Sequence, residues 1–521
     1  MAIRIESFGG EIPRMDARLL GTGAAQRAEN AKLEEGALMP LRAKSLVETL
    51  GAAALTIYLQ GENWLSWPSV VDVVPGPVAA DRLYITGDGG PKLLVDGNTY
   101  PLAMAAPAAA PVAALTSGTP DPDLSSTILY AYTWVSSFDE ESAPSVVSNS
   151  LLWSPGLSVN VTGFSAVPTG RAINRMRIYR SQTSALGETM LYLIHERAAG
   201  TSIFVDNVDA NPIEERLPSL DYNPPQDGLR GLVAMPNGMM AAFVGKKLYF
   251  CEPYRPHAWP EKYSLSVDYE IVALGVFGAS LAVMTKGQPY IVSGTAPDTM
   301  SMERLEVSLP CIAARGVVDL GYSVAYPSPD GLVVISGSGA QLVSRNLVTR
   351  DQWLRLNPSS FVAGLFAGRY LASYDDGDET GIVIIDVTGD QPFITRAQDF
   401  ADAMYTHIET GALYLLQGDD IYEWDALDAS PGTYIWRSKI FALPTEVNFG
   451  AFQALGKAAG AGPAFAARIY ADGNLVATAA GINAVQRLPS GFLAREWEIE
   501  IESNARVTSV ALGFSPGDLA G

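Results

Sequence analysis

At 521 residues, with 48% hydrophobic residues, 49 glycines and 34 prolines, the chain is too long for one ordinary core, too apolar for large-scale disorder and rich in places to turn. Its formal net charge of −21 gives an average surface that repels phosphate and gains nothing from counterion release, which disfavours sequence-specific nucleic-acid binding. Cys251 and Cys311 are the only cysteines and form no C-x-x-C pair, so zinc and redox roles give way to two reduced, buried, inert thiols.

The N-terminus, Met1 to Glu6, lacks the apolar run of a signal peptide. Phe8-Gly9-Gly10-Glu11-Ile12-Pro13-Arg14 reads as an extended arm ending in a turn, because paired glycines admit unusual backbone angles and Pro13 fixes φ and removes a donor. Ala24 to Leu33 is rich in good helix formers and is stopped by Gly36, so residues 1–50 are expected to be an arm with a short helix. After residue 50, short alternating runs rich in Val, Ile, Tyr and Trp recur between Gly, Pro, Asn and Asp clusters, the pattern of an all-β protein. Leu83-Tyr84-Ile85 and Lys92-Leu93-Leu94-Val95, with turns at Gly87-Asp88-Gly89-Gly90 and Asp96-Gly97-Asn98, open a β-propeller over residues 51–105.

Proline among alanines from Pro101 to Pro120 marks a connector. Residues 106–222 then change rhythm: Tyr132-Thr133-Trp134-Val135, Glu140-Glu141-Ser142-Ala143-Pro144-Ser145 and Met176-Arg177-Ile178-Tyr179-Arg180 suit an inserted fibronectin type III-like β-sandwich. Residues 223–432 carry hairpin pairs such as Gly331-Leu332-Val333-Val334-Ile335 that recur about every 35 to 45 residues, near the length of one four-stranded blade. The repeat is too degenerate to count blades. Ile271 to Met284 is far short of the roughly twenty apolar residues that span a bilayer and reads as two strands meeting between Gly275 and Gly278. Residues 433–521 read as a small C-terminal β-sandwich, in which Trp497-Glu498-Ile499-Glu500-Ile501 alternates and should turn its acidic face outward.

Catalytic chemistry finds little support. His195, His257 and His407 fall in separate units, which argues against a metal centre or a histidine base beside a nucleophile. Ser328-Pro329-Asp330-Gly331 is the nearest approach to a sialidase box, occurs once and lacks the Trp. Asp375, Asp376 and Asp378 gather hard oxygen ligands that could hold Ca²⁺, without the full twelve-residue pattern, and a solvated hairpin turn is the stronger reading. Gly21-Thr22-Gly23 lacks the rest of a nucleotide-binding loop and is assigned to chain geometry. No cofactor is expected.

The opening run, together with Ala25-Gln26-Arg27-Ala28-Glu29-Asn30 and Gly36-Ala37-Leu38-Met39-Pro40, resembles the start of tail nozzle (tail tubular protein B-like) proteins of short-tailed bacteriophages. The order of arm, blades, inserted sandwich and terminal domain is similar to that family's. The resemblance implies a structural virion protein assembled in the host cytoplasm. It would form a homohexameric ring beneath the tail adaptor ring, beside tail fibres or spikes, and extend the DNA ejection channel. DNA would pass the lumen without sequence-specific binding, and no catalysis or membrane span is implied. It also implies subunit contacts for Phe8, Gly9, Gly10, Pro13 and Arg14 and for the proline and aromatic loop with Tyr254, His257 and Trp259. The competing reading is a host-surface carbohydrate-binding or glycan-degrading propeller spike, which requires convergent carboxylates in a concave pocket. A secreted adhesin is weakened by the missing signal peptide.

Overall fold

The computed structural model describes residues 3–183, 189–208, 215–387, 392–457 and 464–519. Strand accounts for 49% of the chain and helix for 6%, so the all-β expectation holds. Four-stranded antiparallel blades are built from 72–101 (blade I), 230–266 (blade II), 271–304 (blade III), 318–342 (blade IV) and 362–397 (blade V). Blade VI takes Ala403–Thr406, Leu413–Gln417 and Asp420–Glu423 and closes on Ser45–Thr49 from the N-terminal region. A two-stranded hairpin, Thr56–Gln60 with Asn63–Trp67, stands between blades VI and I as blade VII.

The packing makes this a ring. Each neighbouring pair of blades shares an apolar cluster: Tyr84 with Met240 (I and II), Leu248 with Leu281 (II and III), Met284 with Tyr326 (III and IV), and Leu332 with Tyr370 (IV and V). Leu371 with Leu415 (V and VI), Ile421 with Ile57 (VI and VII), and Ile85 with Trp67 (VII and I) complete the circuit among the described residues. The result is a seven-unit propeller whose seventh unit is a reduced blade. The strands of Ile271–Phe277 and Ser280–Thr285 turn at Gly278, as the sequence indicated to within a few residues.

Between blades I and II stands the inserted sandwich, Val112 to Asp206. One sheet orders Val112–Leu115, Val159–Thr162 and Phe204–Asp206, and another orders Tyr130–Ser136, Ile173–Thr183 and Thr189–Ala198. Trp134, Trp153, Tyr130 and Tyr132 fill its core. A serine ladder covers the edge of Tyr130–Ser136. Ser142, Ser145 and Ser148 each donate a backbone N–H to the carbonyl of Trp134, Tyr132 and Tyr130 (2.9, 2.9 and 2.8 Å). Each hydroxyl then accepts the N–H of the same residue (3.0, 3.2 and 3.0 Å). The three-residue repeat, the period of polyproline II, supplies both partners of an edge strand without a further strand to aggregate on.

Both chain ends build the terminal sandwich, which corrects the picture of residues 1–50 as a separate arm with a helix. Ile3–Ile5 pairs with Arg506–Gly513, and Ala25–Glu29 is a strand between Phe393–Ala397 of blade V and Tyr434–Ser438. Ala25 and Ala28 are buried in the core with Trp436 and Ile499. Tertiary pairing overrides the helix propensity of this segment, since one residue's propensity is worth under about 0.7 kcal/mol and burial of a strand face is worth more. The acidic face of Trp497 to Ile501 is not outward either. Glu498 and Glu500 are buried, and Arg437 and Arg468 of the flanking strands hold them at 2.9 and 2.8 Å.

Candidate functional site

The inner strands of the blades surround an axial cavity of about 650 Å³ bounded by blades I to IV. Its wall mixes polar backbone with aliphatic side chains such as Val74, Val272, Leu274 and Val317, and its ionisable members are Asp72, Arg230 and Asp319. The Asp72 carboxylate accepts the Gly231 N–H at 2.6 Å and the Thr86 hydroxyl at 3.1 Å, and burial holds its pKa above the ordinary carboxylate range. Asp319 accepts the Gly321 N–H at 2.6 Å and is also raised by burial. Asp72 thereby ties blade I to blade II, whereas Asp319 closes a local turn. A second hollow of about 390 Å³ between blades IV, V and VI is lined by Val317, Ala363, Leu365 and Met404, with Ile408, 93% exposed, at its rim. This surface can seat an apolar chain and presents no nucleophile with a base beside it.

The sequence-predicted contact residues divide sharply. Phe8 is 3% exposed and packs edge-on against Trp436 at 4.9 Å between ring centroids, and the Trp436 indole N–H donates to Gly9 O at 3.0 Å. A Cβ on Gly10 would lie 2.5 Å from Ile394 O, so glycine is required there for close backbone approach. Pro13 O accepts from Gln352 Nε2, while Arg14 donates its backbone N–H to Leu347 O and its Nη1 to Arg345 O, both at 2.8 Å. The arm therefore lies along its own chain. His257 and Trp259 are buried, 2% and 1% exposed. The contact role expected of Phe8, Gly10, His257 and Trp259 is corrected to an internal one, because their side chains or backbones are enclosed within this chain. Arg14 and Tyr254 keep exposed side chains.

At the hairpin turn, Asp376 Oδ1 accepts the N–H groups of Asp378 and Glu379 (2.9 and 2.7 Å), and Asp375 Oδ1 that of Gly377 (2.9 Å). These hydrogen bonds hold the Asp376 carboxyl below its ordinary value. Among the described residues no three His, Cys, Asp or Glu side chains gather as a metal site. Cys251 and Cys311 are buried, free thiols pushed up to about 12 by desolvation. His195 stacks on Phe204 and His407 Nδ1 pairs with Thr410 Oγ1, far from any shared centre in the fold order. No described helix is long and apolar enough to cross a membrane.

Sequence reasoning missed the buried charge clusters. Arg180 pairs with Asp206 at 2.8 Å inside the sandwich, Glu11 with Arg396 at 3.1 Å where the arm meets blade V, and Arg171 with Glu140 at 2.5 Å where the sandwich meets the propeller. Only tertiary proximity reveals such pairs, since their partners lie 26 to 385 residues apart. His257, at the last of these joints, has its pKa pushed down to about 3 by burial, with Arg171 and Arg255 adding to the effect. Its folded pKa lies below its unfolded value of 6.5, so the stability it contributes is complete above pH 6.5 and is lost as pH falls from there toward 3. Acid titration should remove up to about 1.4 kcal/mol per pH unit in this window, and His257→Gln should flatten the slope. Urea midpoints measured from pH 7 to pH 4 check this, and an unchanged slope in the variant would refute it.

No protein-family model matches the chain, and no curated protein matches it. Among solved structures it is similar to BBS1N, solved in complex with ARL6DN, at 10% identity over 74% of this chain and 98% of that one, with a TM-score of 0.31. It is also similar to PorZ, a bacterial surface component of the type-IX secretion system of Porphyromonas gingivalis (12% identity, 90% and 77% covered, TM-score 0.26). An exo-β-1,3-galactanase of Phanerochaete chrysosporium follows at 7% identity, 85% and 95% covered, with a TM-score of 0.19. Likeness at this level assigns no activity, substrate or partner.

Proposed function

We propose that this chain is a structural protein of a bacteriophage tail, a nozzle subunit that acts by assembly and not by catalysis. The observation that carries the reading is the order of modules. A propeller is interrupted after its first four-stranded blade by a fibronectin-like sandwich, and a terminal sandwich follows the last blade, the order the sequence resemblance implies. The acidic surface supports it too: a net charge of −21 suits a wall past which DNA slides without adhering. The tail adaptor ring and fibres or spikes are the partners this reading supplies, with the sandwich placed on the outside of the ring. Its mechanism is steric: loops narrow a lumen formed between subunits, and docking at the tail tip shifts them.

A carbohydrate-processing spike would need two free carboxylates converging in a pocket. The axial cavity holds two carboxylates, Asp72 and Asp319, each hydrogen-bonded through one oxygen to a backbone N–H. The test is the oligomeric state of purified protein, alone and mixed with tail components, by native mass and particle imaging. A six-fold ring with a central hole is the expected result. A monomer or trimer that stays unassembled with its partners overturns the proposal.

A further inference from the structure

The joint between the inserted sandwich and blade II is polar where most inter-domain cores are apolar. Glu140, Arg171 and His257 meet there with side chains 6%, 4% and 1% exposed. His257 Nε2 lies 2.9 Å from the backbone carbonyl of Glu141. A carbonyl only accepts, so Nε2 carries the proton and Nδ1 is left a bare acceptor. Nδ1 faces Glu140 Oε1 at 3.8 Å, beyond hydrogen-bond range and of the same polarity. Neither atom has a partner in the chain, and Arg171 buries Nε and Nη1 equally unpartnered while its Nη2 donates to Glu140 Oε2 at 2.5 Å. Tyr84 and Arg82 stand beside this group, and the Phe138 ring lies 5.3 Å from the Arg82 guanidinium carbon and 5.9 Å from that of Arg171.

Two unpaired acceptors 3.8 Å apart and two unpaired guanidinium donors thus belong to one buried cluster. A cation would meet two guanidiniums, and an anion would meet a carboxylate and an imidazole lone pair. A ligand that both donates and accepts satisfies every group. We propose that this joint is a built hydration site, in which internal water donates to His257 Nδ1 and Glu140 Oε1, accepts from Arg171, and so fixes the sandwich against the propeller. Buried water of this kind makes about three hydrogen bonds to groups that would otherwise be desolvated and unpaired.

A high-resolution crystal structure of the full chain at neutral pH tests it first. A water oxygen within about 2.7–3.2 Å of both Nδ1 and Oε1 is expected; an ion there, or closure of the two atoms to direct hydrogen-bond distance, overturns the proposal. With three histidines in the chain, nitrogen NMR of labelled histidine should show one ring with Nε2 protonated and Nδ1 bare at pH 7, and an Nδ1–H tautomer or imidazolium overturns it. Variants add a third arm. Glu140→Ala strands Arg171 and should speed amide exchange in 130–136 about 10- to 100-fold. Glu140→Gln still accepts from Arg171 and offers Nδ1 a donor directly, so its effect should be smaller, and equal exchange in the two variants counts against the proposal.

Discussion

A chain that begins after Glu29 will fail to form a cooperatively folded terminal sandwich. The two N-terminal strands lie inside that domain: Ile3–Ile5 completes the sheet with Arg506–Gly513, and Ala25–Glu29 is the link between blade V and Tyr434–Ser438. Their removal leaves the edges of Arg506–Gly513, Phe393–Ala397 and Tyr434–Ser438 unpaired and strips Ile5, Phe8, Ala25 and Ala28 from one core. A milder probe is Phe8→Ala, which removes the ring packed on Trp436 and should cost about 3–5 kcal/mol. Denaturant unfolding followed by tryptophan fluorescence reads both. A truncated chain with the full-length transition would show that the arm only decorates the fold.

The second large effect is expected at Asp206. Its carboxylate, with a side chain 0% exposed, accepts from Arg180 Nη1 at 2.8 Å, the Tyr130 hydroxyl at 2.7 Å and the Val208 N–H at 2.9 Å. Asp206→Ala takes the carboxylate at 2.8 Å away from a guanidinium in the sandwich core. Breaking a buried pair from one side costs about 3–5 kcal/mol because the surviving charge stays desolvated. Tyr130→Phe removes one neutral-to-charged hydrogen bond and should cost less, about 1.5–3 kcal/mol. Hydrogen exchange localises the loss: the amides of 130–136 and 173–183 should open early in Asp206→Ala while blades III and IV stay protected. Uniform destabilisation of the propeller would contradict a local role.

Much of the framework was legible because its signals are local. Hairpins such as Lys92–Val95 with Asn98–Pro101 announce themselves by alternating apolar residues around Asp96-Gly97, and blade-length spacing repeats through residues 230–423. Two of the expected site features were poorly legible. Gly10 stands out in the sequence, but its cause, the close approach of Ile394, is a contact across 384 residues. His257 stood out in its proline-rich loop, yet nothing nearby in sequence indicates that it meets Glu140 and the backbone of Glu141.

Sequence alone determined the all-β class, the break at the proline-alanine connector and the inserted sandwich, since turn chemistry and strand periodicity act within a few residues. The tertiary structure decided the rest. It closed the ring at seven units by borrowing Ser45–Thr49 for blade VI, turned a helix-prone segment into a central strand, and buried glutamates that alternation had placed outside. Each outcome depends on which distant strand lies alongside. Pairing partners and the charges they carry outweigh the small local preferences of the residues themselves.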